Sequence, residues 1–167
     1  MKTKTLLFLL VIFSTTLSAQ WTSLKTLDGS TIEMNEVLVS NQGTILIFWE
    51  TNNHQCSSNI ENLQESWVEK VKSMGVDLIA ICVDNQGNWA RVKPLVAGKG
   101  WDFEVYIDIN GKLKRALGIN ATPYTILLDG DQNIRCRNPG YCSGDEALIC
   151  EKIIHCLENK GDLTFIE

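Results

Sequence analysis

The chemistry open to this chain rests first on sulfur. Its 167 residues include six cysteines, at positions 56, 82, 136, 142, 150 and 156. Cys56 is placed differently from the others. It follows the apolar run Ile45-Leu46-Ile47-Phe48-Trp49 and a polar turn from Glu50 to Gln55. It heads a segment with helical spacing at Ile60, Leu63, Trp67, Val71 and Met74. A strand that passes through a short turn to a cysteine in the first turn of a helix is a redox geometry. Unpaired N–H groups and the helix dipole at that end favour the thiolate, which is the form that attacks disulfides. Asn53 is suited to cap the helix, its side-chain oxygen accepting from the N–H groups a thiolate would otherwise face. His54 either supports a neighbouring thiolate or stands exposed in the turn. With Cys56 it makes two soft-metal ligands, but no further His-Cys cluster accompanies them, so no metal is expected. A buried lone cysteine is also commonly an inert small hydrophobe, and that reading of Cys56 stays open.

The other cysteines divide by context. Cys82, inside Leu78-Ile79-Ala80-Ile81-Cys82-Val83, reads as a core thiol. Cys150 and Cys156 lie six residues apart on a terminal amphipathic segment, nearly opposite across a helix, so they should not pair with each other. Cys136 and Cys142 flank Arg137-Asn138-Pro139-Gly140-Tyr141, a strand end and turn that a disulfide could close. Six cysteines allow fifteen pairings, and a chain that is 44% hydrophobic does not need staples to build a core.

Elements that would position these groups are legible from periodicity and turn signals. Residues 21 to 27 and Thr31-Ile32-Glu33 flank Asp28-Gly29 as a hairpin. Asn35 is expected to cap a short helix through Val39. Strands follow at 45 to 49, 76 to 83, 103 to 107, 124 to 128 and 133 to 137, the last two joined across Gly130-Asp131. Helices are expected from about Cys56 to Met74 with Gly75 as C-cap, from 88 to 96 with a bend at Pro94, from 112 to 117, and from 145 to 159. Alternating strands and helices that close on a hairpin and a helix imply an α/β fold, a mixed central sheet with helices on both faces. Pro123, immediately before the strand at Tyr124, sits at a strand start, where a proline's missing N–H is tolerated.

The first residues carry Lys2 and Lys4, an apolar run from Leu6 to Phe13, and Leu17-Ser18-Ala19 before Gln20. This reads as a signal peptide over 1–19, too short in its apolar run to span a bilayer, with an uncleaved anchor as the alternative. Cleavage implies a periplasmic or secreted single domain over 20–167 with no membrane anchor. It would leave 13 basic and 20 acidic side chains, a net charge of −7, which with the lack of a basic cluster argues against nucleic-acid binding. No Gly-rich phosphate loop is visible, and no cofactor is expected.

The order Phe48-Trp49-x-Thr51-x-x-x-x-Cys56 resembles the active-site region of thioredoxin-fold, TlpA/ResA-type thiol–disulfide oxidoreductases, which carry Phe-Trp-Ala-Thr-Trp-Cys-x-Pro-Cys. Phe48, Trp49, Thr51 and Cys56 match. Asn53 replaces the first, nucleophilic cysteine, Asn52 the preceding Trp, and Gln55 the Pro; His54 holds the variable position. Thr122-Pro123 resembles the family's Thr-Pro with a cis bond, and Gly140-Tyr141-x-x-Gly144-Asp145-Glu146 resembles its last strand–helix loop. The resemblance implies a thioredoxin-like fold with a strand–helix insertion, a substrate groove along Thr122 and Pro123, and a degenerate redox site. It also suggests Cys142 as a relocated partner for Cys56.

Two functions follow from the resemblance. One is an exported oxidoreductase using Cys56 as a single thiol, or with Cys142, on cysteine-containing or extended segments of envelope proteins. The other is a redox-inactive binding or chaperone-like module that keeps the groove. A monomer is expected in both. A peroxidase reading is weaker, because the Thr51-to-Cys56 spacing does not match a compact Thr-x-x-Cys site.

Overall fold

A computed structural model describes residues 22–39 and 42–158, with the side chain of Cys156 outside that description. The expected signal peptide and Trp21 also lie outside the described residues. A seven-stranded mixed sheet has the order β2-β1-β5-β4-β3-β6-β7. Its strands are β1 (Ser23–Lys25), β2 (Thr31–Glu33), β3 (Gly43–Trp49), β4 (Val76–Cys82), β5 (Glu104–Ile107), β6 (Tyr124–Asp129) and β7 (Ile134–Pro139). All seven residues of β3 are buried. It pairs in parallel with β4 from Gly43↔Val76 to Trp49↔Cys82, and antiparallel with β6 from Gly43↔Asp129 to Phe48↔Tyr124. A strand flanked and covered on both faces reads as a continuous apolar run, which is why 45 to 49 shows no alternation. The strand begins earlier than its apolar run because Gly43 permits close approach: a Cβ there would lie 2.9 Å from the Leu128 carbonyl oxygen.

Two apolar layers cover the sheet. One holds Ile45, Ile47 and Trp49 with α2 (His54–Lys70), α3 (Trp89–Lys99) and α5 (Asp145–Glu158). The other holds Leu46 and Phe48 with α1 (Met34–Val37) and α4 (Lys112–Ala116). From α2, Ile60, Leu63 and Trp67 are buried, at i, i+3, i+7 spacing. Each such side chain stabilises the fold by roughly 1.5–3 kcal/mol relative to exposure.

The structure shifts several expected boundaries. Asn35 does not cap α1 but lies within it, because burial of Met34 and Val37 sets the register and Glu33 takes the cap position. Helix α2 starts at His54, ahead of Cys56, and stops at Lys70; a 3₁₀ turn at Lys72–Met74 then leads to Gly75 in the left-handed region at φ 79°. Helix α3 continues through Pro94 to Lys99, held by the buried pair Val92 and Val96. Together α3 and β5 form the helix–strand segment between β4 and α4, and β5 joins the N-terminal hairpin to the central strands.

Candidate active site

The parallel strands β3 and β4 end side by side, and the loops leaving them build the site. After β3, Thr51 turns back onto Asp84, just beyond β4. Its N–H donates to Asp84 Oδ1 at 2.9 Å and its hydroxyl to Oδ2. Asp84 is buried, and its carbonyl accepts from Trp89 Nε1 at 3.1 Å, so this carboxylate ties the turn before α2 to the start of α3. Only the position of Asp84, at the carboxyl end of a parallel strand where such sheets place their sites, could have flagged it in sequence.

Asn53 is the N-cap of α2. Its Oδ1 accepts from Gln55 N at 3.0 Å and Cys56 N at 3.4 Å, while its Nδ2 donates to the Thr122 carbonyl at 3.2 Å. The Thr122–Pro123 peptide bond is cis. One amide therefore satisfies the helix's first donors and fastens the helix to the Thr-Pro loop. Gln55 makes a second link, its Nε2 donating to the Tyr141 carbonyl at 2.9 Å. Tyr141 is held in turn by Asn62 Nδ2, which donates to its hydroxyl, and that hydroxyl donates to Glu146 Oε2 at 3.1 Å. Gly140 N donates to the Pro123 carbonyl at 2.9 Å. Sequence reasoning missed Asn62 and the double role of Gln55, because these partners lie 79 and 86 residues away.

Cys56 lies beneath this clasp with no exposed surface. Burial pushes its thiol above the ordinary range. Hydrogen bonds from the Glu50 backbone and the Thr122 side chain pull the other way, and the charges of Glu50 and Asp84 raise it further. The thiol is thus adjacent to Thr122 but protonated and shielded at neutral pH. One helical turn on, Asn59 is fully buried, and neither of its amide atoms has a partner among the described residues.

The remaining cysteines form neither of the two pairings that the sequence left open. Cys136, Cys142, Cys56, Cys82 and Cys150 are all free thiols. Cys136 lies on the face of β7 packed against Ile149, Cys150 and Ile153. Three extended residues, about 10 Å, carry the chain from it to Pro139, while Cys142 is exposed beyond the turn; no Cys136–Cys142 bridge forms. Cys142 is not bonded to Cys56 either. Its N–H donates to Asp145 Oδ2 at 2.7 Å, at the start of α5. Cys82 is a buried core thiol, pushed upward by burial, and burial pushes Cys150 up to about 11. His54 and Asn52 are exposed, and among the described residues no three His, Cys, Asp or Glu side chains gather as a metal site.

A model of the AhpC/TSA family matches residues 17–137. The chain belongs to the AhpC/TSA family. Among solved structures, this AhpC/TSA chain is similar to a thioredoxin-like protein from Porphyromonas gingivalis, with 33% identity and a TM-score of 0.73, covering 86% of this chain and 95% of that one. It is also similar to a Chlorobium tepidum chain described as a candidate thiol:disulfide interchange protein DsbE (19% identity, TM-score 0.71, 83% and 94% covered). A third is a secreted Mycobacterium tuberculosis disulfide oxidoreductase homologous to DsbE of E. coli (14% identity, TM-score 0.64, 82% and 97% covered). These last two share the fold. No curated protein matches the chain. The thioredoxin-like α/β architecture is therefore the fold of this AhpC/TSA protein, and no helix among its described residues is long and apolar enough to cross a membrane.

Proposed function

We propose that this chain is an exported, TlpA/ResA-like thiol–disulfide oxidoreductase with a degenerate site, acting through the single thiol of Cys56 on extended, cysteine-containing segments of envelope proteins. The observation that carries the reading is the placement of Cys56 in the first turn of α2, with its thiol against the side chain of Thr122 beside Pro123. The same observation makes the thiol conditional. A segment docking along Thr122 competes with Asn53 for the Thr122 carbonyl, and opening that link exposes Cys56.

Ionised Cys56 then attacks one sulfur of a substrate disulfide. An S–S bond forms to Cys56, the substrate's own S–S bond breaks, and its second sulfur leaves as a thiolate that takes a proton from water. With Asn53 in place of a second cysteine, the mixed disulfide needs an external thiol, whose attack returns Cys56 as the leaving thiolate. Cys142, exposed on the neighbouring loop, would serve as that second thiol only if the loop moved. The leader-like sequence pattern of residues 1–19 supports export.

A redox-inactive groove-binding module is the second reading, supported by the same cap and by the burial that raises the Cys56 thiol. Trapping separates the two. Incubation with a disulfide-bonded peptide should yield a mixed disulfide at Cys56, lost in Cys56→Ser, together with slow insulin reduction in the presence of excess glutathione. If the peptide binds but Cys56 never forms the adduct, the oxidoreductase reading is wrong.

A further inference from the structure

One side chain of the site is unmet in the resting fold. Asn59 is fully buried on α2, and neither its Nδ2 nor its Oδ1 has a hydrogen-bond partner among the described residues. A buried amide left in that state costs free energy, so its retention calls for a partner that the resting fold does not supply. The other amides of α2 and its cap are committed. Asn53 holds the helix start and the Thr122 carbonyl, Gln55 the Tyr141 carbonyl, and Asn62 the Tyr141 hydroxyl. A second unmet group lies in the same layer. The Thr125 hydroxyl on β6 is buried without a partner, and Thr125 stands opposite Ile47, which packs with Cys56 and Ile60 on the α2 side of the sheet.

Cys56 is three residues before Asn59 on the same helix and equally buried. Residues at i and i+3 are neighbours, roughly 5–6 Å apart at Cβ, and helical side chains lean back toward the N-terminus. Asn59 therefore leans over the turn that carries Cys56. A protonated thiol is a weak acceptor and leaves the amide unmet. A thiolate is a charged acceptor, and in a site without water a positioned donor stabilises it strongly. The Glu50 N–H and the Thr122 side chain already favour that form, but the charges acting on it, from Glu50 after β3 and Asp84 after β4, are both negative. Lys114 lies 3.8 Å from Glu50, and on the α5 side Glu146 accepts from the Tyr141 hydroxyl.

We propose that Asn59 is the donor for the ionised form of Cys56. When a docking segment opens the link from Asn53 to Thr122, the thiol gives its proton to the water admitted, and Asn59 Nδ2 turns to donate to the thiolate sulfur. This rests on the reading of Cys56 as the exchanging thiol. The contact serves both halves of exchange, because Cys56 is the attacking thiolate in the first and the leaving thiolate in the second. An amide that meets the charged form and not the resting one lowers the barrier without stabilising the ground state.

The test is the pH dependence of Cys56 alkylation by iodoacetamide, read by peptide mapping in an Asn53→Ala chain whose link to Thr122 is open. Asn59→Leu in that chain should raise the midpoint by about one pH unit, or about tenfold less thiolate at neutral pH, the size of one hydrogen bond to a charged group. Asn59→Ser, which keeps a donor, should move the midpoint back. Asn59→Ala, which needs no extra room, replaces the leucine variant if that chain fails to fold. In a second arm, excess glutathione should release a peptide from its mixed disulfide with Cys56 about threefold more slowly, or slower still, in Asn59→Leu. An unmoved midpoint, equal midpoints for leucine and serine, unchanged release, or a clear loss of resting stability in Asn59→Leu would each overturn the proposal. If the peptide adduct never forms while the midpoint still shifts, the oxidoreductase reading fails and the contact from Asn59 to the thiolate stands.

Discussion

The two ends of the sheet present different solutions to the same problem of unpaired backbone. At the carboxyl end of β3, the helix donors and the Thr122 carbonyl are met by side chains of the chain itself, Asn53 and Gln55. At the amino end of β4, Val76 and Leu78 have no β5 partner but are buried, and Trp67 Nε1 donates to the Val76 carbonyl. A closed end restrains its chemistry, because the thiol beneath it is desolvated and capped. The other end is covered by an indole and has no cysteine in its lining among the described residues. The difference teaches that resemblance to a redox family locates the end that holds the thiol and says nothing of the other.

Restoring the missing nucleophile would break this contrast most sharply. Asn53→Cys removes the clasp to Thr122 and recreates a Cys-x-x-Cys at a helix start, where the first thiol's pKa is lowered. Insulin reduction should rise by roughly two orders of magnitude or more, since exchange scales with accessible thiolate; an inactive variant would show that the surrounding scaffold has also lost the chemistry. Next in size, Leu63→Ala on the buried face of α2 should cost about 2–5 kcal/mol in denaturant unfolding, the range for a fully buried leucine. A loss below about 1 kcal/mol would mean that the layer under the site is loosely packed.

Thiol titration sharpens the comparison further. Burial raises the Cys56, Cys82, Cys136 and Cys150 thiols above their ordinary value of about 9.0, so the folded chain holds these protons more tightly than the unfolded one. Their contribution to stability is full below about pH 9 and is lost as pH rises from there, through about 11 for Cys150. Thermal unfolding should therefore shift downward across that window, and alkylation of the native chain should label Cys142 first. Cys56 labelled as fast as Cys142 would contradict the closed site. The smallest effect belongs to Asn59. Asn59→Leu should be neutral or stabilise by about 1 kcal/mol, since it removes a buried amide without partners. A clear loss would mean that the amide holds an internal water beneath Cys56.

Much of the fold was legible because local patterns agree with the tertiary answer. The run at 45 to 49, the spacing of Ile60, Leu63 and Trp67, and the left-handed glycine at 75 each reflect burial or backbone freedom that a single residue type reveals. Helix boundaries were less legible at Asn35 and at His54, because two buried side chains and one capping amide outweighed the local signals. The Cys136–Cys142 bridge that the turn spacing allowed is absent, because strand geometry turned Cys136 into the core and left Cys142 outside.

By itself the amino-acid sequence determined the strands, most of the helices, the cap at Asn53 and the lone thiol at the head of α2. These depend on neighbours within a few turns. Only the tertiary structure decided that Asn53 reaches Thr122, that Gln55 and Asn62 hold Tyr141, that Asp84 anchors Thr51, and that β5 begins too late to cover β4. Each of those contacts joins residues dozens of positions apart, and their geometry exists only once the sheet has set its order and register.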